Sequence, residues 1–210
     1  MSLVLAADYR VPDFDHWWAR LTGDLPRLPS LGAHHIVVYR SLDDASRVFV
    51  TIGVRERGPV DALLRSPVMF SWFDSAGVEE IPPMFAGEVV EKLELAGDAA
   101  APAVPGAVIV AAIAPVGRLE GFEGLDRLRA SVHAAVARLA ASGVRRFWIY
   151  RALDDQAEVM ILLQIATERQ AEQWIRHPDA AAAFMAEAGA GAYPPLFVGR
   201  LVQAIEVPGA

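Results

Sequence analysis

Tyr39-Arg40-Ser41-Leu42-Asp43-Asp44 returns 111 residues later as Tyr150-Arg151-Ala152-Leu153-Asp154-Asp155. At that offset residues 39–80 align with 150–191 without a gap, with nine identities in 42 positions, among them Val48/Val159, Arg65/Arg176, Pro67/Pro178 and Phe73/Phe184. Pro82-Pro83-Met84-Phe85 then matches Pro194-Pro195-Leu196-Phe197 after one inserted residue. Self-similarity sustained in register marks a chain written twice. The expected organisation is a first repeat over 1–95, a linker over 96–106 (AGDAAAPAVPG lies within it) and a second repeat over 107–210.

Each half reads in the same order. An apolar strand opens it (Leu3–Arg10; Ala107–Pro115) and a helix follows. Two strands then flank the Leu-Asp-Asp turn: His34–Ser41 with Val48–Val54, and Arg145–Ala152 with Val159–Ala166. Asp suits such a turn because its carboxylate accepts bonds from nearby backbone amides. A second helical region covers Val60–Ala76 and Glu168–Ala188, with Ser66-Pro67 and His177-Pro178 placing proline where a helix restarts. A last strand closes each half, Glu88–Leu95 and Val198–Val207. The order βαββαβ is the ferredoxin-like unit. The strands are apolar at nearly every position, whereas a sheet with one wet face alternates. The expected fold is therefore α+β: two ferredoxin-like repeats packed sheet to sheet as a barrel within one chain.

Composition narrows function. The chain has 210 residues, 54% hydrophobic and 21% charged, with no cysteine, no asparagine and one lysine, Lys92. Disulfides, thiolate metal sites and cysteine nucleophiles are excluded. The net charge is −7; residues 1–100 carry 9 basic and 15 acidic groups, residues 101–210 carry 10 and 11. Neither half offers a basic face for nucleic acid or for an anionic membrane. The longest clean apolar run, Ala107–Ala114, falls far short of the roughly 20 residues a spanning helix needs. No secretory signal is legible, and a cytoplasmic location is expected.

The Tyr-Arg-Ser-Leu-Asp-Asp stretch, the apolar strand after it, and Arg65-Ser66-Pro67 leading into Phe70, Trp72 and Phe73 resemble the antibiotic biosynthesis monooxygenase family of the dimeric α+β barrel superfamily. The resemblance spans both halves. It implies a barrel fold and one of several activities: oxygen chemistry without a cofactor, haem degradation, isomerisation or plain ligand binding. Haem-degrading members are similar to one another in an Asn, a Trp and a His. This chain has no Asn, Val54 and Ile165 at the Trp position, and Val68 and Asp179 at the His position. The expected function is binding of a small apolar or aromatic molecule, and the activity that the resemblance implies for such a site is that of a cofactor-independent monooxygenase. The alternatives are a non-catalytic small-ligand module and a purely structural barrel. No cofactor or metal is expected, and self-association of the barrel is left open.

Asp13-Phe14-Asp15-His16-Trp17-Trp18 opens the first helix, with Asp13 as its N-cap. His16 is the candidate base, Trp17 and Trp72 the candidate pocket walls, and His34 or Arg145 the candidate stabiliser of an enolate. Each has a plainer role beside it: a capped helix for His16, core packing for Trp17, a solvated strand end for His34 and Arg145. Gly23, Pro26 and Pro29 interrupt the first helix, whereas Phe122–Ser142 runs unbroken in the second half. His34 and His35 are consecutive in a strand, which predicts opposite faces and no shared metal. Trp148 and Tyr150 share a face and fill core or wall a pocket. His133 and His177 read as structural, the latter at a helix C-terminus.

Overall fold

The computed structural model describes residues 3–95, 106–116, 123–177 and 195–207. The linker over 96–106, apart from Gly106, and the helical region beyond His177 lie outside them. Two compact units divide the chain, one of residues 1–86 with 201–210 and one of residues 87–200.

In the first unit, β1 (Leu3–Arg10) leads into α1 (Phe14–Asp24) and a 3₁₀ segment, Leu25–Leu31. Asp13 caps α1 by accepting from the His16 N–H at 2.9 Å, which satisfies one of the helix's orphan donors. Pro26 and Pro29 lack the N–H that α-helical pairing needs, so the chain tightens to 3₁₀ and stops at Gly32, whose φ of 71° suits glycine. The helix is interrupted where the prolines predict. β2 (Ala33–Ser41) and β3 (Arg47–Val54) form the antiparallel hairpin, and β1 pairs with β3 from Leu3↔Val54 to Arg10↔Arg47. α2 (Arg57–Leu64) and α3 (Pro67–Ser75) divide at Ser66, which caps α3 through its side chain. The far end of β8 (Phe197–Glu206) completes this unit; Val207 N–H donates to the His34 carbonyl at 3.0 Å.

The second unit holds most of β4 (Met84–Glu94), then β5 (Val108–Pro115), α4 (Glu123–Ala141), β6 (Val144–Ala152), β7 (Glu158–Ile165) and α5 (Glu168–Arg176). β4 pairs with β6, β6 with β7, β7 with β5, and β5 with the start of β8, all antiparallel. β6 and β7 begin and end 111 residues after β2 and β3. The compact units and the sequence repeats are divided differently. β4 follows the first repeat's helices but pairs in the second unit, and β8 ends in the first unit.

β1, β3, β5 and β7 are buried on both faces over most of their length, as their lack of alternation predicts. In β7, Val159 through Leu163 are all buried, at successive positions that point to opposite faces. Charged strand residues pair across strands, Arg47 with Asp8 (2.8 Å), Arg146 with Glu94 (2.8 Å) and Arg151 with Glu88 (2.5 Å).

Candidate functional site

The helix-covered face of the first sheet is aromatic. Ala7, Tyr9 and Val11 of the β1 region, Ile36 and Val38 of β2, and Val48 and Val50 of β3 project there by strand alternation. α1 lays Trp17 and Leu21 on them, and α3 lays Met69 and Phe73. Tyr9 meets Trp17 edge-on with ring centroids 6.1 Å apart and Phe73 at 5.6 Å. Phe14 lies 5.4 Å from Trp17 and stacks on Trp18 at 6.1 Å, with the Arg40 guanidinium 4.8 Å over the Phe14 ring. Phe, Tyr and Trp pairs prefer such edge-on and offset contacts.

Two polar atoms are enclosed in this layer. Trp17 is fully buried, and its Nε1–H has no hydrogen-bond partner. The Tyr9 hydroxyl is its polar neighbour but does not complete a bond of good geometry. Burial pushes the Tyr9 phenol well above its ordinary value, offset in part by the Trp17 indole. A buried N–H left unpaired costs about 1–3 kcal/mol, so this atom marks a place where a partner would be accepted. The sequence did not single out Tyr9; within an apolar strand pattern, only its alignment with Trp17 reveals it.

The sequence-predicted residues fall around this layer unequally. Trp17 forms its floor. Trp72 stands at its edge, half-buried, with Nε1 donating to Asp24 at 2.9 Å. Asp24 also holds Arg20 at 2.5 Å and Arg27 at 3.0 Å, so one carboxylate ties the end of α1 to α3. His16 is exposed on the outer side of α1, and its Nε2 lies 3.0 Å from the Ser75 carbonyl. A carbonyl only accepts, so Nε2 carries the proton and Nδ1 keeps the basic lone pair of the neutral ring.

His34 departs from the strand-alternation expectation. The β2–β3 register moves from Ala33↔Val54 to His35↔Gly53, leaving His34 as the extra residue of a β-bulge. A bulge breaks alternation, and the two imidazoles come together instead of pointing apart. Their Nδ1 atoms are 2.9 Å apart and their ring centroids 4.4 Å. His35 projects over Gly53, from the face opposite the aromatic layer. Burial and the neighbouring His34 hold the His35 imidazole below its ordinary value, with Glu206 pulling weakly the other way.

In the second unit the same bulge recurs. Val144↔Ile165 is followed by Arg146↔Gln164, so Arg145 is the extra residue there. Arg145 is exposed, and its carbonyl accepts from Leu95 N–H at 2.8 Å. Buried in this unit are Leu128, Val132, Ala135 and Leu139 of α4 and Phe147 and Ile149 of β6. Trp148 and Tyr150 point from the other face, both half-buried, and burial pushes the Tyr150 phenol up to about 12. His133 is exposed beside Glu91 at 3.7 Å, and His177 caps the C-terminus of α5 as expected. Among the described residues no group of three or more His, Asp or Glu converges on a point, and no helix is long and apolar enough to cross a membrane.

The fold has close counterparts among solved structures. An anthrone oxidase-like protein superposes with a TM-score of 0.70 at 13% identity, over 99% of this chain and 94% of its own. A monooxygenase-like protein of Listeria innocua gives 0.54 at 11% identity, over 97% and 95%. A ferredoxin-fold protein of Listeria monocytogenes, related to antibiotic biosynthesis monooxygenases, gives 0.54 at 9% identity, over 97% and 95%. The chain thus has a ferredoxin-like α+β fold, and one chain matches one chain nearly end to end. No protein-family model and no curated protein matches the sequence.

Proposed function

We propose that the aromatic layer of the first unit binds a small aromatic or otherwise apolar molecule bearing a hydrogen-bond acceptor, and that the chain oxidises it with molecular oxygen and no cofactor. The observation that carries this reading is the buried, unpartnered Trp17 Nε1–H beside the Tyr9 hydroxyl. A ligand carbonyl placed there would satisfy the indole and accept charge as an enolate forms. The anthrone oxidase-like counterpart suggests the balance: a ring CH2 and O2 give a ring C=O and water. The four electrons come from the substrate carbon, so no reductant is needed.

In this reading His16 Nδ1 takes the first proton and Trp17 and Trp72 wall the ligand; His34, at the bulge on the opposite face, and Arg145, exposed in the other unit, take no part at this ligand. A second reading, a structural barrel whose layer is filled by its own side chains, is favoured by the complete burial of Trp17.

Oxygen uptake with an anthrone, followed alongside quenching of tryptophan fluorescence, tests both. Uptake that His16→Ala abolishes while quenching persists supports the enzyme. Quenching without uptake leaves binding without chemistry, and neither signal overturns the proposal in favour of the structural barrel.

A further inference from the structure

We infer that His34 and His35 form a binding site for one divalent transition-metal ion, of the kind that favours imidazole nitrogen. The site lies on the sheet face opposite the aromatic layer and does not depend on the reading above. Three independent features build it. The β2 bulge turns two consecutive imidazoles toward each other, which alternation would forbid. Their Nδ1 atoms, 2.9 Å apart, have the separation of two nitrogens that each sit about 2.1 Å from one ion and meet it near a right angle. Gly53 holds the place beneath His35: a Cβ there would come 2.1 Å from Cε1 and 2.5 Å from Nδ1. The equivalent position in the second unit is Gln164, beneath a bulge bearing Arg145 and Arg146. The paired imidazoles and the glycine therefore occur together in the first unit, where two cations occupy the second.

The protons are easily accounted for. With both rings neutral, one Nδ1–H lies between the two nitrogens and the other Nδ1 accepts it. An ion replaces that proton when the donor ring moves it to Nε2, so binding at neutral pH needs only a tautomer change. Both rings are half-buried, and solvent fills the remaining coordination positions, since no third His, Asp or Glu among the described residues completes a cluster. Two nitrogens and open positions suit Cu2+ best in the usual order of affinity, with Ni2+ and Zn2+ behind it.

The test uses the full-length chain without a histidine tag, titrated with Cu2+ alone and then Zn2+ alone by calorimetry, with electron paramagnetic resonance of the Cu2+ form. One ion per chain is expected, with coupling to two nitrogens. His34→Ala and His35→Ala are each expected to weaken binding at least the roughly tenfold that losing even a supporting contact costs at metal sites. His133→Ala is the control and leaves binding unchanged. Gly53→Ala, which displaces the His35 ring while keeping both histidines, is expected to weaken it too. Circular dichroism and melting confirm that each variant is folded; His34→Ala, at the bulge and half-exposed, decides the matter if His35→Ala is not. Undiminished binding in folded His34→Ala, coupling to fewer than two nitrogens, or no binding at all overturns the site.

Discussion

Gly53 lies directly beneath the His35 ring, so close that any Cβ at 53 would overlap the imidazole. The strand tolerates a glycine in its interior, at a cost in chain entropy, because a ring from the neighbouring strand fills the space. Gly53→Ala is therefore expected to destabilise the protein by about 1–3 kcal/mol, the usual cost of overpacking a closed site. Chemical denaturation measures it. A cost below about 0.5 kcal/mol would mean that the His35 ring swings away freely.

Acid should act through the same ring. The His35 imidazole is held below its ordinary value by burial and by His34. The folded protein thus binds fewer protons here than the unfolded chain. This contribution is complete above the unfolded value of about 6.5 and is lost as pH falls below it. His35→Gln should flatten the decline in melting temperature between about pH 7.5 and pH 5.5 relative to the unsubstituted protein. Parallel slopes in the two proteins would refute the assignment.

Trp17 separates volume from polarity. Trp17→Ala empties a fully buried site and is expected to cost about 3–5 kcal/mol. Trp17→Phe keeps most of the packing and removes the unpartnered N–H, whose burial costs about 1–3 kcal/mol. The Phe variant should therefore lie within about 1 kcal/mol of the original in urea melts. A loss as large as that of the Ala variant would show that the indole N–H is satisfied in solution.

Asp24 carries three contacts, from Trp72, Arg20 and Arg27. Its side chain is only 14% exposed, so these are more than surface pairs. Asp24→Ala should cost about 1–3 kcal/mol and shift Trp72 emission to the red as the indole loses its anchor. Unchanged emission would mean that packing alone holds Trp72.

The hairpins were legible because β2, β3, β6 and β7 carry dense apolar runs on either side of a turn with its own residue signature. So were the Asp13 cap, the break at the prolines and the Ser66-Pro67 restart, which are set within one turn of chain. The facing of His34 was not. Consecutive strand residues alternate unless the partner strand slips, and the slip is a property of the pairing with Gly53 and Val54, not of the His-His dipeptide. Arg145-Arg146 shows the same limit in the other unit. The strand partners of β4 and β8 were equally hidden, because local pattern says that a segment is extended without saying which sheet it joins. At the candidate site, Trp17, Trp72 and His16 were visible as residue types near a broken helix. Tyr9 was not, since its significance comes from lying opposite Trp17 across the layer.

The crossing of β4 and β8 between compact units bears on how the chain can be divided. A cut within residues 96–105 leaves a first piece that lacks residues 201–207, whose Val207 bonds to His34. It leaves a second piece without the β4 residues Gly87–Glu94 that pair with β6. Neither fragment contains all the backbone partners of its own sheet. The two pieces should be insoluble or partly unfolded when produced singly and should restore each other when co-expressed. The stretches on either side of residues 96–105 are in this sense mutually obligate, each carrying backbone partners that the other's strands require.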